Sequence, residues 1–339
     1  LLMAAVSILA VNVTGKLDEN AKDLLTMRVR NRASYVQEIL RNAEDLEQLS
    51  EQITATTQQL LKSGDISLDT LDNSSEQSDA LLVALAPQLL DTLRTKQVTG
   101  IFIMLNTHDL DTCEVDKKMP GIYLRDLDPD ARPSERNNDL LLERASATVV
   151  KELGIGTDKG WQPAFPYQAN TKGGILRSVF QAAYKSGASL SAENYGRWTT
   201  DSYCLAGDDR HAIAYSMPLI LPDGTVYGVV GVELLTEYLQ TKLPFTELDE
   251  DKAGTYFIVT TTDDALTDDV LSLRKTVTSG EDLVTADAPL GVLNCRSNGK
   301  GGNWVELNDK RYYMVLEPLQ VYNRNAPFAA EKWFLAGTM

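Results

Sequence analysis

Arg177, Glu233, Trp198, Tyr203 and Tyr215 are the residues of this 339-residue chain whose types best suit molecular recognition. A guanidinium taken out of water needs a carboxylate or phosphate partner. A carboxylate beside aromatic rings selects a cation by its charge and by the ring face. The alternative is that Arg177 and Glu233 pair with each other while the rings are ordinary core, because buried charges are normally paired.

Covalent and metal chemistry find less support. The chain has no GxGxxG, GxxxxGK[ST], GxSxG or HExxH sequence, and its only histidines are His108 and His211. The stretch His108-Asp109-Leu110-Asp111-Thr112-Cys113 gathers possible ligands at a spacing that matches no known metal site, and reads as a polar loop. The acidic run Asp263, Asp264, Asp268, Asp269 lacks the alternation and closing Glu of a calcium loop, so a solvated loop is expected. Cys113, Cys204 and Cys295 are odd in number and far apart, which indicates no disulfide framework and favours three free thiols over one bridge with a free thiol left over. No cofactor is implied.

The elements that must position these residues follow from composition and periodicity. The chain is globular in composition and long enough for two modest domains. Its net charge of −16 repels phosphate backbones, which excludes nucleic acid as a partner. It also keeps the body of the chain off anionic lipid. The apolar run Leu1 to Val13 is shorter than the roughly 20 residues that span a bilayer, and is read as the outer end of a membrane helix; the alternative is a buried helix start. From Leu17 apolar residues recur every three or four positions as far as Leu60, with Gly64 suited to close the helix. This predicts one amphipathic rod of about 70 Å, a stalk able both to pack on its own domain and to pair with a second copy.

A second helical pattern ends near Gln97, and the texture then changes to short β-branched runs. Strands are predicted at 101–105, 122–124, 212–220 and 226–234, with Leu221-Pro222-Asp223-Gly224 turning the last two into a hairpin. A helical stretch ends at Pro244, and strands resume at 256–261, 304–307, 312–319 and 333–337. The polar turns between them favour a mostly antiparallel sheet over βαβ units.

The hairpin carries a resemblance. Ala214-Tyr215-Ser216-Met217-Pro218-Leu219, Asp223-Gly224 and Tyr227-Gly228-Val229-Val230-Gly231-Val232-Glu233 resemble the strand pair of the double Cache family, extracytoplasmic sensor domains of bacterial chemoreceptors, sensor kinases and cyclic-dinucleotide enzymes. Arg177-Ser178-Val179-Phe180-Gln181-Ala182-Ala183 is similar to the family's pocket helix, with Arg177 and Phe180 in the Arg and aromatic places. Val179 stands where the amino-acid binders carry Trp, and Glu233 where they carry Asp. The resemblance implies that Arg177 grips a ligand carboxylate and Glu233 its ammonium. Ile122-Tyr123-Leu124-Arg125-Asp126, followed by Asn138-Asp139-Leu140-Leu141-Leu142-Glu143, looks like a subgroup of such sensors and adds Tyr123 to the candidate ligand-binding residues.

The expected architecture is α+β: a long N-terminal stalk helix followed by two PAS-like antiparallel-sheet domains. Residues 1–13 end the membrane helix, 14–79 form stalk and linker, 80–236 a membrane-distal ligand-binding domain, and 237–339 a membrane-proximal domain. The expected function is extracytoplasmic sensing of an amino acid, amine or carboxylate, without enzymatic activity. The chain would be held at a bacterial cell membrane by flanking helices and paired as a homodimer through the stalk. Two rivals stand beside it: a surface hydrolase using carboxylates, and a module that binds only protein.

Overall fold

The computed structural model describes residues 2–113, 117–132, 139–166, 175–248, 254–262, 266–267, 270–279, 291–297, 303–307, 310–321 and 326–339. The acidic run at 263, 264, 268 and 269 lies outside the residues whose side chains are described. The chain divides into two compact units. One comprises residues 1–38, 239–320 and 330–339, the other residues 39–238 and 321–329.

The rod expected as one helix is two, α1 (Leu2–Glu44) and α2 (Glu47–Ser63), separated at Asp45-Leu46. Leu25, Val29, Ala33, Val36, Leu40 and Ala43 form the buried stripe of α1. Gly64 closes α2 with φ 82°, where a side chain would be strained. In α3 (Ser75–Lys96) the Ser74 side chain accepts from the Gln77 amide at the N-terminus. No helix among the described residues is long and apolar enough to cross a membrane.

In the second unit an open sheet is built from β1 (Gly100–Leu105), β3 (Gly121–Asp126), β4 (Leu140–Arg144), β5 (Thr157–Gln162), β7 (Arg197–Trp198), β8 (Ala212–Ile220) and β9 (Val226–Leu235). Its order is β5-β4-β3-β1-β9-β8-β7, antiparallel except for the β4–β5 pair. A two-residue ladder, β2 (Lys118–Met119) with β6 (Phe165–Pro166), and the helices α4 (Ala147–Leu153) and α5 (Ile175–Lys185) complete the unit.

The predicted hairpin is β8–β9. Gly224 takes φ 88°, and the Leu221 amide donates to the Thr225 carbonyl at 2.9 Å. One glycine in it serves close approach. A Cβ on Gly231 would lie 2.4 Å from Phe102 Cζ and from the Tyr215 carbonyl oxygen, so only glycine lets the Phe102 ring lie across β9. The ring stacks on Tyr123 at 5.1 Å.

In the first unit α6 (Thr236–Thr241), whose last residues belong here, precedes β10 (Thr255–Thr261), β11 (Leu266–Thr267), β12 (Val270–Ser279), β13 (Val292–Ser297), β14 (Asn303–Leu307), β15 (Lys310–Leu319) and β16 (Lys332–Thr338). The order β10-β16-β15-β14-β13-β12-β11 has one additional pairing, β10 with β12, which closes β10 and β12 to β16 into a ring and leaves β11 beside it. Phe257, Val259, Leu273, Leu293, Cys295, Val305, Met314 and Ala336 form its apolar core. The three cysteines carry free thiols; Cys295 is buried and Cys204 exposed. The α+β class with two mainly antiparallel sheets is therefore as the sequence predicts.

Candidate functional site

Alternation along the open sheet decides which candidates meet. Gly100 pairs with both Arg125 and Glu233, and Phe102 with both Tyr123 and Gly231. Arg125, Glu233, Phe102 and Tyr123 therefore share one face. Tyr215 pairs with Val232, one residue from Glu233, and so belongs to the other face.

The shared face carries a buried ionic network. Glu233 is fully buried and receives the Arg125 fork, Nε to Oε1 and Nη2 to Oε2, both at 2.8 Å. The Tyr123 hydroxyl donates to the same carboxylate, and the Tyr203 hydroxyl lies 3.3 Å from it and 2.7 Å from that of Tyr123. Arg125 Nη1 reaches Glu143 Oε1 at 2.8 Å and also Asp208. Arg210 bridges Asp208, Glu143 and Asp158 at 2.8, 2.9 and 2.5 Å.

A β-bulge sets up the network. Tyr123 pairs with Arg144 and Leu124 with Leu142, leaving Glu143 as the extra residue of β4. Glu143 meets Arg210, while Arg144 donates to the Gly160 and Ala206 carbonyls at 3.0 Å, so both side chains reach the loop that carries Asp208 and Arg210.

Four carboxylates, Glu143, Asp158, Asp208 and Glu233, thus surround Arg125 and Arg210, and the third arginine, Arg144, is held by carbonyls. One acceptor is left over. Glu143 Oε2 is buried without a hydrogen-bond partner, as is Arg144 Nε. Burial pushes the Glu143 carboxyl above its ordinary pKa; Asp158 and Asp208 add to the rise and Arg125 opposes it. Burial would lower the Arg125 pKa, yet Glu233 outweighs it and the guanidinium stays charged. Tyr123 and Tyr203 are held well above the usual phenol range by burial and by the Glu233 charge.

Of the seven candidate residues, Tyr123, Tyr203 and Glu233 meet. Phe180 joins them in the apolar cluster with Phe102, Tyr123, Phe165 and Ala214. Arg177 does not oppose Glu233: it pairs with Asp111, which also holds Lys185, and its side chain is 36% exposed. The pairing weighed for Arg177 and Glu233 falls instead to Arg125. Trp198 and Tyr215 pack together at 5.7 Å on the opposite face, where Trp198 Nε1 donates to Glu44 at 3.0 Å. Burial pushes Glu44 up to about 7.

Arg125, Glu143, Asp158, Asp208 and Arg210 are the members that sequence reasoning did not select. Arg125 and Glu143 lie in the two stretches quoted for the sensor subgroup, which was the available signal. His108 and Asp72 pair at 2.9 Å, and no cluster among the described residues is arranged to hold a metal ion.

No family model and no curated protein matches the sequence. Among solved structures, the periplasmic sensory domain of the Campylobacter jejuni chemoreceptor Tlp1 matches with a TM-score of 0.50 at 13% identity, over 95% of each chain. The chain shares the fold of that periplasmic sensory domain, in keeping with the resemblance that the hairpin residues carry. The ligand-binding domain of a Pseudomonas aeruginosa amino acid chemoreceptor in complex with GABA gives a TM-score of 0.41 at 15% identity, over 94% of this chain and 98% of that one. The extracellular domain of a putative histidine kinase gives 0.44 at 14% identity, over 97% and 96%. In the open sheet of the second unit, the ionic network occupies the face away from Trp198 and Tyr215.

Proposed function

We propose that the chain is the extracytoplasmic small-molecule sensor of a bacterial membrane receptor, with its ligand held in the second unit against Tyr123, Tyr203 and Glu233. The carrying observation is the fully buried Arg125–Glu233 pair with an unsatisfied carboxylate oxygen of Glu143 beside it. Such a group calls for a donor, and a ligand ammonium or amide N–H supplies one. Phe180 and Tyr123 offer the apolar wall that a small ligand needs in addition to its polar contacts. The sensory-domain fold supports the reading, as do the hairpin residues that resemble the Cache family.

In this reading the chain is a receptor part rather than an enzyme. Its ligand-binding domain spans about residues 80–236 and is membrane-distal, residues 237–339 are membrane-proximal, and flanking helices hold the chain in the membrane. The exposed side chains of Leu17, Leu24 and Met27 on α1 would pair two copies in the full receptor.

The test is a thermal-shift screen of the purified chain against amino acids, amines, carboxylates, purines and sugars, since a ligand that binds only the folded state raises the melting temperature. A hit is expected to vanish in Glu233→Gln and to survive in Arg177→Ala, which removes a surface pair. A ligand whose shift persists undiminished in Glu233→Gln would remove this network from the sensing site.

A further inference from the structure

We propose that the first unit carries a second, separate site, which binds a small organic carboxylate. Arg28, Asn31, Arg32, Tyr35 and Glu247 line a cleft of about 260 Å³. Four of the five come from one face of α1 at spacings of three, four and seven, which stack on successive turns.

The charges in the cleft are unequally engaged. Arg32 is neutralised by Glu247 through a fork of 2.8 and 2.5 Å, and its Nη1 donates to the Lys242 carbonyl at 3.1 Å. Tyr256 donates to the same carboxylate at 2.7 Å, so Glu247 accepts three hydrogen bonds. Arg28 makes no such fork among the described residues, although its charge also acts on Glu247. One of its N–H groups donates to the Leu248 carbonyl at 3.0 Å, and the others have no protein partner among the described residues. The Asn31 amide and the Tyr35 hydroxyl are likewise without partners there.

Among the described residues the cleft therefore holds two arginines against one glutamate, a local positive charge within a chain of net charge −16. A guanidinium with a free edge matches the two oxygens of a carboxylate, and Asn31 one turn away adds a neutral donor. Arg32 lies 5.4 Å over the Tyr35 ring, and Tyr35 is still 42% exposed, so the uncovered part of the ring can take the ligand's body. A single uncompensated charge fits a monoanion with an organic tail better than inorganic phosphate, which approaches two charges at neutral pH. The site is independent of the Glu233 network.

Isothermal titration of the purified chain with benzoate and hexanoate tests this, with inorganic phosphate and benzylamine alongside. Saturable binding of both carboxylates is expected. Arg28→Gln should weaken it roughly tenfold or more, and Tyr35→Ala should weaken it less. If Arg28→Gln does not fold, Arg28→Lys gives the same reading, because it keeps the charge and loses the fork. Four results would overturn the proposal: no saturable carboxylate binding, phosphate or benzylamine binding more tightly than benzoate, affinity unchanged in the folded Arg28 variants, or affinity lost in Glu233→Gln but kept in Arg28→Gln.

Discussion

The two sheets each contain seven strands, yet one is open and the other closes on itself through the β10–β12 pairing. The open sheet keeps two faces, and on one of them Arg125, Glu143 and Glu233 are completely buried. The ring turns its strands inward on Phe257, Val259, Leu273, Leu293 and Val305, and among its described residues the one buried side chain that carries a charge at neutral pH is Lys275, 9% exposed. A closed ring consumes its interior in apolar packing. An open sheet leaves a face on which loops such as the one bearing Asp208 and Arg210 can assemble a polar site. Recognition chemistry follows from this topological difference more than from composition.

The largest expected effect breaks the open sheet. Glu233→Ala takes the acceptor from Arg125 Nε and Nη2 and from the Tyr123 hydroxyl, all buried, so unfolding in urea should show a loss of about 3–5 kcal/mol. If the loss stays below about 1 kcal/mol, the network is not what holds this face together.

Glu44 tests the other face of the same sheet. Its folded pKa of about 7 lies above the ordinary 4.5 of a glutamate, so the folded state binds the proton more tightly. This contribution to stability is complete below about pH 4.5 and is lost as pH rises through about 7. Glu44→Gln should flatten that part of the profile measured by thermal melts, and an unchanged slope would show that Glu44 titrates normally.

The smallest effect belongs to the ring. Burial alone lowers the Lys275 pKa from 10.5, and among the described residues the amine has no hydrogen bond or ion pair. Lys275→Met should therefore stabilise by about 1 kcal/mol at neutral pH. The wild type should regain stability as pH rises from the lowered pKa towards 10.5, where the unfolded chain still holds its proton, and the variant should not. Destabilisation by Lys275→Met would mean that the amine has a role in the ring.

Much of this was legible in local pattern. The β8–β9 hairpin, its Pro-Asp-Gly turn, the strands flanking it and the helix closed by Gly64 are all written in short-range signals. Tyr123, Tyr203 and Glu233 were selected by residue type and motif, and they do meet. Arg177 was assigned opposite Glu233 because both are charged residues in motif positions, but α5 points it at Asp111 while β3 carries Arg125 to the carboxylate. Trp198 and Tyr215 were chosen as aromatic walls, and strand alternation turns them to the opposite side of the sheet. Asp158, Asp208 and Arg210 come from a strand and a loop far apart in sequence from β3, and no local periodicity announces that they converge. The break between α1 and α2 escaped notice because Asp45-Leu46 contains neither Gly nor Pro.

The bulge at Glu143 has a consequence for how this site can change over time. A regular strand offers selection a simple rule, in which every second position is free to drift. The extra residue suspends that rule in β4, so the adjacent positions 143 and 144 are constrained together, one by ion pairs and the other by carbonyls. Removing a single residue there would restore an even ladder and turn one of the two away from the loop. The arrangement is therefore reached or abandoned by insertion and deletion, and single substitutions can only adjust it.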